Sequence, residues 1–349
     1  MMRVVQWTTG NVGQRAALAV MAHPDLELVG CYAWSKKKKG RDIGDLIGSK
    51  PIGLAATDDV DALLGLKPDC VVYTPKFPQV DDLVKTLEVG INVVATAGFI
   101  TGHSFGEAER QRIQDACRKG ASSIFGSGAN PGLLNLLGLV SAVPCDRVDC
   151  ITVMESVDST GYDSPETEIP CGFGRPIDDP ELPAMARAGT AVFEDAVWMM
   201  ADALGVAIEE IHFEADFART TDDLDLGSWS IGANCVAGIA TSWQGHRDGA
   251  TVLELKTVWR KGQTLDPDWQ VEHAYLVEVK GQPCVQTRLQ FLPGDDFVAS
   301  TFKDFMVLGM IATAMPAINA IPAVVAASPG VVTYADLPLT TARGMVSRQ

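Results

Sequence analysis

Residues 3–21 read Arg3-Val4-Val5-Gln6-Trp7-Thr8-Thr9-Gly10-Asn11-Val12-Gly13-Gln14-Arg15-Ala16-Ala17-Leu18-Ala19-Val20-Met21. An apolar run breaks into a glycine turn, and an alanine-rich helical stretch follows. That order predicts a strand, a tight turn and a helix N-terminus. Glycines at 10 and 13 let the backbone approach phosphate oxygens, while the amides of the first helical turn point at negative charge. In the G-x-G-x-x-G frame Thr8 takes the place of the first glycine. The stretch therefore points to a nucleotide-binding βα unit, with Thr9, Gly10, Asn11, Val12 and Gly13 around a diphosphate.

Working outward, Leu26–Trp34 reads as a second apolar strand and Asp42–Gly48 as a short helix or turn. Thr57 is the expected N-cap of a helix ending at Leu66. Asp69–Tyr73 and Asn92–Thr96 read as strands, with a helix over Asp81–Val89 between them. A helix over Phe105–Lys119, a strand at Ser123–Phe125 and the turn Gly126–Gly132 complete the first half. Apolar strands alternating with helices predict a parallel sheet covered on both faces.

The periodicity then changes. Val148–Val157 and the region Trp229–Phe291 read as strands separated by turn signals, among them Gly245–Gly249 and Lys261-Gly262, which predicts an antiparallel sheet. Thr190–Leu204 reads as an amphipathic helix with Gly205 past its end. Met306–Ala327 is nearly all apolar but contains Pro316, Asn319 and Pro322, and reads as a buried, interrupted helix. The expected fold class is α/β: an N-terminal Rossmann-type doubly wound parallel sheet over 1–130, and a C-terminal α+β domain with a mostly antiparallel sheet over 131–305. A helical segment over 306–349 is expected to pack back on the first domain or at a subunit interface.

Composition narrows the partners. The chain has 349 residues, 47% hydrophobic and 21% charged, enough for two cores of ordinary globular type. Its net charge of −16 repels nucleic acid and anionic membranes, so a small molecule is the expected partner. Met1 leads straight into a strand with no signal-type segment, which predicts a cytoplasmic protein. The eight cysteines are scattered without a C-x-x-C pair, so free buried thiols are expected and no metal site is assigned.

The second strand runs into Ala33-Trp34-Ser35-Lys36-Lys37-Lys38-Lys39-Gly40-Arg41, with no acid before Asp42. An acid near this point holds the ribose 2′-hydroxyl of NAD. A hydroxyl and a run of cations instead suit a 2′-phosphate. Ser35, Lys36 and Lys39 are the candidate contacts, with NADP(H) the preferred cofactor and NAD(H) the second choice. Ligands of open α/β sheets sit at the carboxyl ends of strands. Thr74, Pro75, Thr96 and Ala97 join the cofactor-binding set on that ground, and Asn130, in the turn expected to face the crevice, is added as a polar group near the nicotinamide or substrate.

The strings VVYTP (71–75), VVATAGF (93–99) and GANPGLLNLL (128–137) resemble the dihydrodipicolinate reductase N-terminal family. The opening VVQWTTGNVGQ, the Lys39-Gly40-Arg41-Asp42-Ile43-Gly44-Asp45 segment and the closing IPAVVAASPGVVTYADLP (321–338) are similar to the branch with 2,4-diaminopentanoate dehydrogenase and amine dehydrogenases. The resemblance implies an NAD(P)-dependent oxidoreductase with a Rossmann domain, a second α+β domain whose sheet often builds a homodimer, and an active site between them. Dihydrodipicolinate reductases hold substrate with a histidine pair, and this chain has none. Amine dehydrogenases carry a glutamate after the fifth strand, where this chain has Ala97-Gly98-Phe99-Ile100.

The proton-transfer groups are therefore sought in the second domain, at Glu155, Asp158 and Tyr162. His103, Arg219 and Lys303 are further polar candidates, and His212 and His273, in strand-like runs, read as structural. The leading expectation is hydride transfer to or from a C=N or C=O carbon of a small metabolite. An amine dehydrogenase in the strict sense and a non-catalytic dinucleotide sensor are the alternatives.

Overall fold

The computed structural model describes residues 1–96 and 98–346, leaving aside the side chains of 302 and 303. The chain divides into two compact units, Met1–Leu133 with Gly309–Gln349, and Leu134–Leu308. The first boundary thus falls after the Asn130-Pro131-Gly132 turn, which belongs to the first unit.

The first unit begins β1 (Met2–Trp7), α1 (Asn11–Ala22), β2 (Leu26–Tyr32), α2 (Ile43–Leu46), α3 (Val60–Gly65), β3 (Cys70–Tyr73), α4 (Val80–Glu88), β4 (Asn92–Ala95), α5 (Glu107–Gly120) and β5 (Ser123–Gly126). The second unit supplies α6 (Leu134–Ala142), β6 (Arg147–Asp158), α7 (Pro165–Glu168), α8 (Leu182–Gly189), α9 (Val192–Leu204), β7 (Glu210–Thr220), β8 (Leu224–Asp225) and β9 (Ser230–Ile231). It continues through β10 (Val236–Arg247), β11 (Ala250–Arg260), β12 (Leu265–Asp266), β13 (Ala274–Gln282) and β14 (Val285–Leu289). The chain then adds α10 (Met306–Val325) and β15 (Gly330–Val332).

Strand order in the first sheet is β15-β5-β4-β3-β1-β2, all parallel. The winding reverses at β1, because β2 lies on one side of it and β3 on the other. Alternate residues of these strands enter two cores. Val4, Val72, Val94 and Phe125 pack with Ala16, Ala17 and Val20 of α1 and with Ala317, Ile318 and Ile321 of α10. Val5, Val71, Val93 and Ile124 pack on the other face with Leu63, Leu83, Leu87 and Ile113. Burial on both faces explains why the strands read as continuous apolar runs.

The second sheet runs β12-β7-β10-β11-β6-β13-β14. Its pairs are antiparallel except β11 with β6, so the sheet is mixed and mostly antiparallel. Several expectations shift in detail. Asp59, not Thr57, caps α3, its carboxylate accepting from Ala62 N at 2.9 Å. α10 continues through Pro316 and Pro322 as one helix; it passes the length and hydropathy of a membrane span, yet its second half lies in the first core. β7 extends the strand-like run around His212, whereas β8 and β15 have no counterpart in the sequence reading.

Candidate functional site

The parallel sheet brings the carboxyl ends of β1, β2, β3 and β4 to one edge, and the expected cofactor residues cluster there. Thr8 adopts a left-handed backbone, φ 75°. The first glycine position of the frame thus requires a conformation that costs a β-branched residue about 1–2 kcal/mol. Its surroundings hold it: the Thr8 amide donates to Tyr32 O at 3.0 Å, and its carbonyl accepts from Gln6 Nε2 at 2.9 Å. Thr8 Oγ1 lies 3.2 Å from Thr74 Oγ1. Gln6, fully buried, also donates to Thr74 Oγ1 at 2.9 Å, and Thr74 in turn donates to Trp7 O at 2.8 Å. Thr74 is therefore a floor under the loop, and Gln6 is a loop-building residue that the apolar-run reading missed.

The two glycines do different work. A Cβ on Gly13 would lie 2.5 Å from Thr8 O and 2.7 Å from Thr74 Oγ1, so only glycine packs there. A Cβ on Gly10 would meet nothing within 4 Å. No side chain caps α1, and no acid stands in its first turn. The first amide of the helix with an intrahelical partner is Gln14 N, which donates to Gly10 O at 2.8 Å. Space over Gly10 together with the uncapped amides of Asn11, Val12 and Gly13 fits a dinucleotide diphosphate.

The lysine turn sits beside this loop. Lys38 N and Lys39 N both donate to Ser35 O, closing the turn. Lys38 Nζ donates to Thr9 O at 2.7 Å and to Thr9 Oγ1 at 3.1 Å. Lys39 pairs with Asp58 at 2.7 Å, which removes it as a first choice for an extra phosphate. Lys36 and Lys37 are exposed with no ion pair among the described residues, and Trp34 is 72% exposed next to them. Thr96 is buried at the end of β4, its amide donating to Tyr73 O at 3.2 Å, and Pro75 is half-buried at the head of the loop after β3. Ala97 lies outside the described residues. Asn130 stands in a turn anchored by Ser127, whose hydroxyl lies 2.6 Å from Tyr334 OH. His103 lies in a short helical turn with Nδ1 2.7 Å from Thr101 Oγ1.

The expected proton-transfer residues all fall in the second unit, around the end of β6. Glu155 is half-buried, between Thr257 of β11 and Tyr275 of β13 in register. Burial first, and the Glu155 charge second, push the Tyr275 phenol well above its usual range. Asp158 is committed to shaping the loop: its Oδ1 accepts from Thr160 N at 2.8 Å and from Thr160 Oγ1, and Oδ2 accepts from Gln263 at 3.4 Å. Tyr162 is half-buried, its amide donating to Ser159 O at 2.9 Å. Arg219 forms a surface pair with Asp266 at 2.6 Å, and the Lys303 side chain lies outside what is described.

One feature of this region had no signal in the sequence. Lys261, read there as a turn residue, is fully buried, with Nζ 2.6 Å from Glu168 Oε1. The same ammonium donates to Ser159 O at 2.7 Å and Tyr162 O at 3.1 Å, so it fixes the loop that carries Tyr162. It also lies 5.6 Å from the Phe173 ring centroid and 5.9 Å from that of Trp229. Burial raises the Glu168 carboxyl to about 7 against the opposing pull of Lys261, and burial lowers the Lys261 ammonium. Glu168 Oε2 and Trp229 Nε1 are buried without a hydrogen-bond partner.

Comparison with known proteins agrees with this architecture. Residues 3–127 match the family of the dihydrodipicolinate reductase N-terminus, and residues 184–348 match that of the 2,4-diaminopentanoate dehydrogenase C-terminal domain. The chain is 30% identical to an amine dehydrogenase of Streptomyces virginiae, covering 100% of this chain and 99% of that one. It belongs to the amine dehydrogenase and 2,4-diaminopentanoate dehydrogenase family. A 2,4-diaminopentanoate dehydrogenase of Acetoanaerobium sticklandii is 25% identical over 88% of this chain and 89% of its own. An amine dehydrogenase structure from Mycobacterium smegmatis shares the fold, with a TM-score of 0.81, 18% identity and 98% of each chain covered. As a member of this family the chain is an NAD(P)-dependent oxidoreductase, which answers the sensor alternative.

Proposed function

We propose that this family member interconverts a small primary amine with the matching carbonyl compound plus ammonia, and that it prefers NADP(H) to NAD(H). The full-length likeness to an amine dehydrogenase carries the reaction class. The cofactor preference rests on the strand end Ala33-Trp34-Ser35-Lys36-Lys37, cationic and free of acid.

A bound nicotinamide supplies the hydride acceptor and donor. The amides of Asn11, Val12 and Gly13 bind the diphosphate, and Gly10 leaves room for it. Ser35, Lys36 and Lys37 take the 2′-phosphate. Lys38 holds the Thr9 loop in place and adds positive charge beside it. Oxidation of an amine by way of an imine and water releases a proton, for which Glu155 is the proposed acceptor and Tyr162 a proposed hydrogen-bond donor to the substrate nitrogen or oxygen. Asp158 is left out of that role because its oxygens are spent on the loop.

The test is a spectrophotometric screen of short primary amines with NADP+ and NAD+, and of ketones with and without ammonium in the reverse direction. Turnover that requires ammonium and favours the phosphorylated cofactor is expected. Ketone reduction that proceeds equally well without ammonium would overturn the amine reading. Glu155→Gln is expected to lower kcat by about 10²-fold with dinucleotide affinity unchanged.

A further inference from the structure

The second unit holds a cluster of metal-ligating groups away from Glu155 and Lys261. Glu210 and His212 are alternate residues of β7, so they share one face of the sheet. Antiparallel β10 sets His246 opposite Glu210 and Gln244 opposite His212. The two imidazoles stack with centroids 4.1 Å apart and planes 29° from parallel. His212 Nε2 lies 2.9 Å from Glu210 Oε1, and one ligand atom from each of the three residues lies within 4.8 Å of the other two.

We propose that Glu210, His212 and His246 bind a transition-metal dication of the zinc class. Two imidazole nitrogens and one carboxylate oxygen form a donor set for Zn2+, Ni2+ or Cu2+, whereas Mg2+ and Ca2+ take oxygen ligands. The three side chains come from adjacent hydrogen-bonded strands, so the backbone already places them and little order is lost on binding. His246 is oriented by its neighbours: Nε2 lies 3.3 Å from Gln244 Oε1 and 3.2 Å from Thr251 Oγ1. With the proton on Nε2, shared with the Gln244 oxygen, the ring keeps its Nδ1 lone pair for a metal, the tautomer that an outer hydrogen bond commonly fixes in ligating histidines. Glu210 and His212 are exposed and His246 is half-exposed, so water can complete the coordination. A metal here ties β7 to β10 and lies within the second unit, so the proposal stands apart from the dinucleotide assignment.

The test uses the full chain, stripped with chelator, loaded with ZnCl2 and dialysed, with zinc measured by mass spectrometry. About one zinc per chain is expected for the wild type. His212→Gln and His246→Gln should each weaken zinc at least about tenfold, while His273→Gln, outside the cluster, should bind as the wild type does. Co2+ loading should give a visible ligand-field band that both cluster variants lose, and circular dichroism checks that each variant is folded. The proposal is overturned if the wild type retains no more zinc than the His212→Gln/His246→Gln double variant, or if His273→Gln loses as much.

Discussion

Lys38 Nζ grips both oxygens of Thr9, the carbonyl at 2.7 Å and the hydroxyl at 3.1 Å, so a cation from the turn after β2 is tethered to the glycine loop after β1. The lysine run thereby divides into residues with different duties. Lys38 is tied to the glycine loop and Lys39 to Asp58, whereas Lys36 and Lys37 are exposed without an ion pair among the described residues and are the two proposed for a 2′-phosphate. Lys38→Ala should therefore weaken NADH and NADPH alike, by about tenfold, the value of one charge-assisted hydrogen bond. Lys36→Ala/Lys37→Ala should weaken NADPH by tenfold or more, roughly 1.4 kcal/mol, and leave NADH nearly unchanged. Titration of nicotinamide fluorescence reads both. Equal loss of the two cofactors in the double variant would remove the 2′-phosphate role.

Gly10 and Gly13 separate binding from folding. Gly13→Ala forces a Cβ against Thr8 O and Thr74 Oγ1, and should lower stability by about 1–3 kcal/mol in urea unfolding. Gly10→Ala meets open space at φ −72°, a backbone that any residue adopts, so stability should hold within about 1 kcal/mol. Its methyl group instead enters the space proposed for the diphosphate, and dinucleotide affinity should fall about tenfold or more. A Gly10→Ala variant that binds normally would place the diphosphate elsewhere.

The Lys261–Glu168 pair is a stability element with a readable pH signature. Glu168→Ala removes the hydrogen-bond acceptor of the buried Lys261 ammonium and should cost about 1–3 kcal/mol. Lys261→Met in addition should recover only part of this, since Ser159 O and Tyr162 O then lose their donor. Burial holds the folded Glu168 carboxyl at about 7, so between its ordinary 4.5 and that value the folded chain keeps a proton that the unfolded chain has lost. Stability from this group is full below about pH 4.5 and is lost as pH rises through about 7. The lowered Lys261 runs the other way: its contribution is present above 10.5 and is lost as pH falls through the folded value. Urea midpoints of the wild type and Glu168→Gln, compared from pH 4.5 to 8, should converge as pH rises. Parallel curves would show that Glu168 does not titrate in that window.

Helix α10 is a core element of the first unit although it comes from the far end of the chain. Ile321 is fully buried among β1, α1 and β3 residues, and Ile321→Ala should cost about 2–5 kcal/mol, measured by denaturant unfolding. A cost below 1 kcal/mol would mean that the helix does not share that core.

Legibility followed the range of the interactions. The βα opening, the parallel strands and the α9 stop at Gly205 could be read because apolar period, glycine position and capping act over a few residues. β7 is legible only as a strand-like run around His212, where polar and apolar residues alternate with a strand's period; its full length and its pairing with β10 depend on residues far along the chain. β15 is only three residues long and exists as a strand because β5 offers it a partner.

Sequence alone determined the glycine turn between the first strand and helix, the acid-free cationic strand end and the two-part α/β plan, since each is written in neighbouring residues. Tertiary structure decided that Lys261 turns inward to Glu168, that Gln6 and Thr74 build the loop floor, that Lys38 and Lys39 are already engaged, and that His212 meets His246. Those pairings join residues far apart in the chain. A side chain's charge, partner and exposure are set by whatever the fold places against it, and no local pattern encodes that neighbour.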